Sequence, residues 1–300
     1  MVSEIGSDVA KAKQSHPMSG SSPDHPISKR SEMIYPEDFI NKIICGDCLE
    51  VMKDIPDNVI DLTVTSPPYD KQRDYKLGWS LDLNLLGIEL FRITKSGGVA
   101  AVVMQDQTVK GRKTLTSFKT VLDWANAGWG LFETCIYQRS GVPGAWWGRR
   151  FRVDHEYIFL FVKGQKPTTF YKDHLKIPAK QAGEKKKGKE RKQDGKYTEY
   201  EYNPNRYPKM KCRGTIWNYE SERASDKTNK VKVKHPAWFP DTMASDLIEC
   251  FTSSYGAVVL DPMAGSGSTL VAAVQKVHRR SFIGIDVLEE YCEIARERLL

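Results

Sequence analysis

Val258-Val259-Leu260-Asp261-Pro262-Met263-Ala264-Gly265-Ser266-Gly267-Ser268-Thr269 is the stretch on which the fold turns. An apolar strand runs into a glycine-rich turn, and residues at helical spacing follow. Such a turn lets the backbone approach a ligand closely at the carboxyl end of the strand. The next strand, Phe282-Ile283-Gly284-Ile285, is closed by Asp286, 21 residues after Gly265. A carboxylate at that distance is placed to hydrogen-bond a ribose diol. No Lys follows the glycines, so a phosphate loop is disfavoured. GxGxxG is not completed either, because Leu270 stands three residues after Gly267. A lone glycine turn also serves as a plain strand–helix connector; the pairing with Asp286 is what points to a nucleoside site. The implied ligand carries a ribose without a pyrophosphate, and S-adenosylmethionine fits that description.

Outward from this unit, strands and helices alternate. Ile43-Ile44-Cys45 reads as a short strand ending at Gly46-Asp47, and Leu49 to Ile55 as a short helix. Ile60 to Thr65 is a β-rich run stopped by Ser66-Pro67-Pro68. Leu81 to Lys95 has apolar residues at helical spacing and stops at Gly97-Gly98. Val99 to Met104 is wholly apolar, as in a strand buried on both faces. A helix is expected over Leu115 to Ala127, and strands over Leu131 to Tyr137 and Tyr157 to Val162. The alternation breaks between 163 and 234. It resumes as a helix from Asp241 to Ser254, the quoted unit with its helix to Lys276, a strand from Ser281 to Ile285 and a helix from Leu288 to Leu299. The pattern predicts an α/β domain with a mostly parallel sheet covered on both faces. Residues 1–33, rich in Ser, Pro, Gly and Lys, read as a disordered tail. Residues 34–162 and 235–300 read as two halves of one domain, with an insertion over 163–234.

Thr65-Ser66-Pro67-Pro68-Tyr69 follows its apolar strand directly. Two prolines fix the backbone and remove two amide donors, which leaves carbonyls facing outward without competing N–H groups. Ser66 adds a hydroxyl and Tyr69 an aromatic face. The set suits a planar base, with Tyr69 stacked on it and the Ser66 hydroxyl and Pro67 carbonyl accepting hydrogen bonds from its amino group. The lone pair of such an amine is delocalised into the ring. Acceptors that draw its hydrogens out of plane return density to nitrogen, and they bind more strongly as positive charge develops. A base within a duplex must first be flipped from the stack. By itself the motif also matches a strand-terminating turn with a surface Tyr.

Composition sets the frame around these motifs. Hydrophobic residues make up 40% and charged residues 28% of the 300, which suits a globular domain with a sizeable core. No uncharged apolar run is long enough to span a bilayer, and the expected location is inside a cell. The cysteines are scattered; Cys45 and Cys48 have CxxC spacing but no second pair, so reduced thiols are expected and no metal site. The net charge of +7 is concentrated. Residues 163–234 hold 21 basic and 9 acidic side chains, a local net of +12 that leaves −5 elsewhere. A basic segment on an acidic body points to a polyanion, which Lys and Arg bind by releasing phosphate counterions. A solvated lysine-rich loop is the plainer reading.

Taken together, Thr65 to Tyr69 and Asp261 to Gly267 resemble the permuted β group of S-adenosylmethionine-dependent DNA amino-methyltransferases. In that family the catalytic motif precedes the cofactor motif, with a target-recognition region between them. The resemblance extends to Gly46-Asp47, His155-Glu156-Tyr157, Thr215-Ile216-Trp217, His235 to Pro240 and the stretch from Gly284 to Leu299. It implies a Rossmann-like methyltransferase sheet with circularly permuted motif order and a basic insertion. It also implies that Ser66, Pro67, Pro68 and Tyr69 form the catalytic loop. Asp261, Pro262, Gly265, Ser266 and Gly267 would line the methionine part of the cofactor, Asp286 its ribose, and Asp47 would lie near its adenine; a turn role is the alternative for Asp47. Met263 stands where the family usually has Phe, and a thioether can fill that space. Ser at the first catalytic position resembles the N4-cytosine members more than the N6-adenine ones. C5-cytosine chemistry is disfavoured, because no cysteine occupies a Pro-Cys context.

The expected partner is double-stranded DNA, with no membrane involvement. Gly141 to Arg150 supplies Trp146, Trp147, Arg149 and Arg150, suited to stacking on bases and to binding phosphate or guanine; core packing competes for the two Trp. Arg73 and Arg139 complete the candidate DNA-binding set. The Lys185 to Lys192 run is expected to lack order without DNA, and the insertion interleaves Lys with Tyr171, Tyr197, Tyr200, Tyr202 and Tyr207. A homodimer and a restriction endonuclease partner stay open. So do the alternatives of N6-adenine methylation, RNA methylation and a non-catalytic DNA-binding protein.

Overall fold

A computed structural model describes residues 33–68, 81–140, 151, 153–179, 187–201, 209–220, 240–253, 256–275 and 279–300. Elements follow in the order β1 (Lys42–Cys45), α1 (Cys48–Met52), β2 (Ile60–Thr65), α2 (Leu83–Ile93), β3 (Thr94–Met104), β4 (Thr108–Val109), β5 (Arg112–Lys113) and α3 (Thr116–Asn126). Next come β6 (Gly130–Ser140), β7 (His155–Val162), a 3-10 turn (Asp173–Leu175), β8 (Lys176–Pro178), β9 (Lys187–Arg191), β10 (Tyr197–Glu201), β11 (Met210–Cys212) and β12 (Ile216–Glu220). The last are α4 (Asp241–Phe251), β13 (Val258–Asp261), α5 (Ser268–Val274), β14 (Ser281–Asp286) and α6 (Glu289–Leu299).

Eight strands form one sheet in the order β1-β14-β13-β2-β3-β7-β6-β12. All neighbours are parallel except that β7 runs antiparallel to both β3 and β6. Side chains alternate between two apolar layers. Val259, Leu62, Val64, Ala101 and Val103 face α4 and α5 through Met243, Leu247, Leu270 and Ala273. Val258, Leu260, Ala100, Val102 and Ile283 face α1, α2 and α3 through Met52, Leu86, Leu90 and Trp124. The sheet is thus buried on both sides, which accounts for its near-continuous apolar strands.

Register is pinned by polar contacts where the apolar pattern alone would permit a slip. Asp61 sits at an irregularity between Ile60 and Leu62. Its Oδ2 accepts from Lys95 Nζ and from the Val258 amide, each at 2.8 Å. This locks the first residue of β13 against β2. At the head of α2, Asp82 Oδ1 accepts from the Asn84 and Leu85 amides at 2.9 and 3.0 Å, an N-cap that satisfies two orphan donors.

Two features mark the basic segment. β12 lies within 163–234 but pairs with β6 from Ile216↔Ile136 to Glu220↔Ser140, so it is the edge strand of the main sheet. Its own Trp217 and Tyr219 side chains are buried. Within the lysine run β9 pairs antiparallel with β10, with Lys187–Glu201 and Lys189–Glu199 ion pairs across the ribbon. The six cysteines are free. Among the described residues no helix is long and apolar enough to cross a membrane.

Candidate active site

Four parallel strands end side by side at one edge of the sheet. Cys45 pairs with Asp286, Asp261 with Gly284, and Leu260 with Thr63. Carrying that last register forward two residues sets Pro262 beside Thr65, so Ser66 leaves β2 next to the turn that leaves β13. From β2 the chain turns toward β3, whereas from β13 it turns toward β14. The gap between β2 and β13 is therefore the topological switch point, where open α/β sheets bind ligands. Thr269 Oγ1 in α5 donates to the Val64 carbonyl at 3.2 Å and ties the two corners together.

The glycine turn is built on β14. The Ala264 amide donates to the Ile285 carbonyl at 2.8 Å, and the Gly265 amide to Asp286 Oδ2 at 2.8 Å. Gly265 and Gly267 have φ of 51° and 82°, a region that side chains with a Cβ rarely adopt. The Asp286 backbone carbonyl accepts from Gly46, which brings the end of β1 into the same cluster. Asp286 Oδ1 accepts from the Leu288 amide at 3.0 Å. A carboxylate offers about four acceptor sites, so capacity remains for a diol. Burial pushes the Asp286 pKa up, while the Leu288, Gly265 and Val287 amides oppose the rise.

Asp261, at the tip of β13, is 2% exposed. Burial pushes its carboxyl up to about 7, opposed by the hydroxyls of Thr269 and Thr65 and by the Met263 amide. That amide lies 3.2 Å from Oδ1. The Ser268 hydroxyl, first in α5, is buried without a hydrogen-bond partner among the described residues. An unsatisfied hydroxyl, an acceptor carboxylate and a turn that leaves room for backbone approach could together hold a nucleoside. A profile of the N6/N4 DNA methylase family matches residues 60–297.

The chain belongs to that family. The orphan methyltransferase M.BamHII of Bacillus amyloliquefaciens is 36% identical over 247 residues, covering 82% of this chain and 91% of its own. The fold is similar to that of the PvuII DNA methyltransferase, described as cytosine-N4-specific, with a TM-score of 0.63 at 18% identity over 86% of each chain. It is also similar to a Thermus thermophilus protein described as a putative DNA modification methylase, complexed with S-adenosyl-L-methionine. That match has a TM-score of 0.55 at 24% identity, covering 86% of this chain and 93% of the other.

Within this methylase, Ser66 and Pro68 are half-buried and Pro67 is buried. Tyr69, Arg73, Trp146, Trp147, Arg149, Arg150 and the segment 235–239 lie outside the described residues. Because β6 runs parallel to β3 through antiparallel β7, Ser140 at the end of β6 lies on the same sheet edge as Ser66. Asp47 is the N-cap of α1, its Oδ1 accepting from Leu49 at 2.8 Å. Arg139 stands in β6 with Nη1 at 2.9 Å from Glu156 Oε1, an ion pair inside the sheet edge rather than an unengaged guanidinium. Arg298, which reaches the Ser266 carbonyl, and Asp241, which holds Arg298, belong to no sequence motif. The only signal was helical phase, which puts Ala295 and Arg298 on one face of α6.

Proposed function

We propose that this DNA amino-methyltransferase uses S-adenosylmethionine to methylate the exocyclic N4 of a cytosine flipped out of duplex DNA. The observation that carries the reading is the adjacency of Ser66 and the glycine turn across the β2–β13 switch point. Asp286 would hold the ribose hydroxyls, the Gly265 to Gly267 backbone would cradle the methionine part, and Asp47 would border the adenine. When bound, the cofactor supplies an electrophilic methyl group.

The chain's own residues supply the rest. Ser66 and the Pro67 carbonyl accept hydrogen bonds from the target amine, and these strengthen as the nitrogen gains positive charge. The buried walls around Asp261 exclude water, which raises the strength of every such contact. Tyr69 would stack on the flipped base, and the basic segment 163–234 would face the phosphates. Cytosine is favoured over adenine by Ser at the first catalytic position.

Methylation of a plasmid in expressing cells, followed by digestion to nucleosides and mapping at single-base resolution, tests the proposal. N4-methylcytosine at a defined sequence is the expected product. N6-methyladenine would replace the acceptor while keeping the family, and unmodified DNA with methylated RNA would overturn the polymer.

A further inference from the structure

We infer that Arg298 is a positioning residue for the cofactor turn, which rests on reading Gly265 to Gly267 as that turn. α6 lies directly on it: a Cβ at Gly267 would come within 2.9 Å of Ala295 Cβ. One step along the same helical face, Arg298 Nη1 donates to the Ser266 carbonyl at 2.7 Å, with Ser266 Oγ at 3.4 Å. Nη2 donates to Asp241 Oδ2 at 2.6 Å. The Arg298 side chain is 2% exposed.

An Arg in the last turn of a helix ordinarily extends into water, where it gains a small stabilisation from the helix dipole. Burying the guanidinium carries a large desolvation cost unless it is paired and hydrogen-bonded. Here the pairing joins the start of α4 to the glycine turn. Asp241 opens α4, where the helix N-terminus favours a carboxylate, and the segment 235–240 leads directly into it. The guanidinium passes that fixed position to the Ser266 peptide, in the middle of the turn. Only a forked, planar cation holds both acceptors at once; an ammonium is a point charge. The role therefore belongs to cofactor binding, with no contact to the base.

The test measures S-adenosylhomocysteine affinity by calorimetry, together with kcat and the cofactor KM, for Arg298→Lys, Arg298→Met and Arg296→Met. Arg296 shares the helix but bonds Glu289 and the Ile43 carbonyl of β1 rather than the turn. Both Arg298 variants should lose about tenfold or more in affinity, the loss of one charge-assisted hydrogen bond. Their cofactor KM should rise while kcat at saturating cofactor changes far less. Arg296→Met should bind as wild type does. Arg298→Lys keeps a cation beside Asp241, so it decides the matter if the Met variant does not fold. Unchanged affinity in a folded Arg298 variant, or an equal loss in Arg296→Met, overturns the inference. A wild-type protein that binds no S-adenosylhomocysteine overturns the underlying reading and this one with it.

Discussion

Asp286 Oδ2 accepts a hydrogen bond from the Gly265 amide at 2.8 Å, so the acid that closes β14 also shapes the turn that follows β13. The two features read separately in the sequence are one construction. Asp286→Ala should therefore act twice. It strands the buried Gly265 amide and the part-buried Leu288 amide, which costs about 1–3 kcal/mol of stability, and it weakens cofactor binding. Calorimetry and denaturant titration on the same preparation check both; loss of affinity at unchanged stability would contradict the shared role.

Gly267→Ala tests the turn from the other side. Its φ of 82° disfavours any Cβ, and that Cβ would press on Ala295. The left-handed conformation alone costs about 1–2 kcal/mol, and repulsion from α6 adds to it. A lowered melting temperature with weakened cofactor affinity is expected. An unchanged melting temperature would show that the turn relaxes freely.

How much of this was legible beforehand varied with the physics of each element. β2 and β13 were readable because apolar runs end at Ser66-Pro67-Pro68 and at Asp261-Pro262, where proline and glycine punctuate the chain. β12 was hidden: it is five residues of edge strand in which only alternate side chains, Trp217 and Tyr219, are buried. β9 and β10 carry no apolar alternation and hold their register through cross-strand ion pairs. Arg298 could not be found from spacing, because its partner Asp241 lies 57 positions earlier and only the fold brings them together.

Asp261 makes a prediction in pH. Its ordinary value is 3.8 and its native value about 7. Between these, the folded state holds a proton that the unfolded state has released. The stabilising contribution is complete below about pH 4 and is lost as pH rises through 7. Asp286 is shifted in the same direction. Asp261→Asn removes the first of these, so its stability relative to wild type should improve steadily from about pH 4 to 7. Denaturant unfolding of both proteins across that interval checks it, and parallel profiles would contradict the raised value.

Ser66→Ala addresses the chemistry. Removing one acceptor that strengthens only as charge develops should lower kcat by about 10²-fold. Cofactor affinity should stay near wild type, since Ser66 belongs to the β2 corner. A matching loss in affinity would move Ser66 out of the assigned role.

The most direct test is a crystal structure with sinefungin and a duplex holding the methylated sequence. The sugar is expected on Asp286, the amino-acid end along Gly265 to Gly267, and a flipped cytosine at Ser66. The transferred position should then lie about 3–3.5 Å from the acceptor nitrogen. An analogue bound away from the β2–β13 gap, or a target base that never reaches Ser66, would contradict this arrangement.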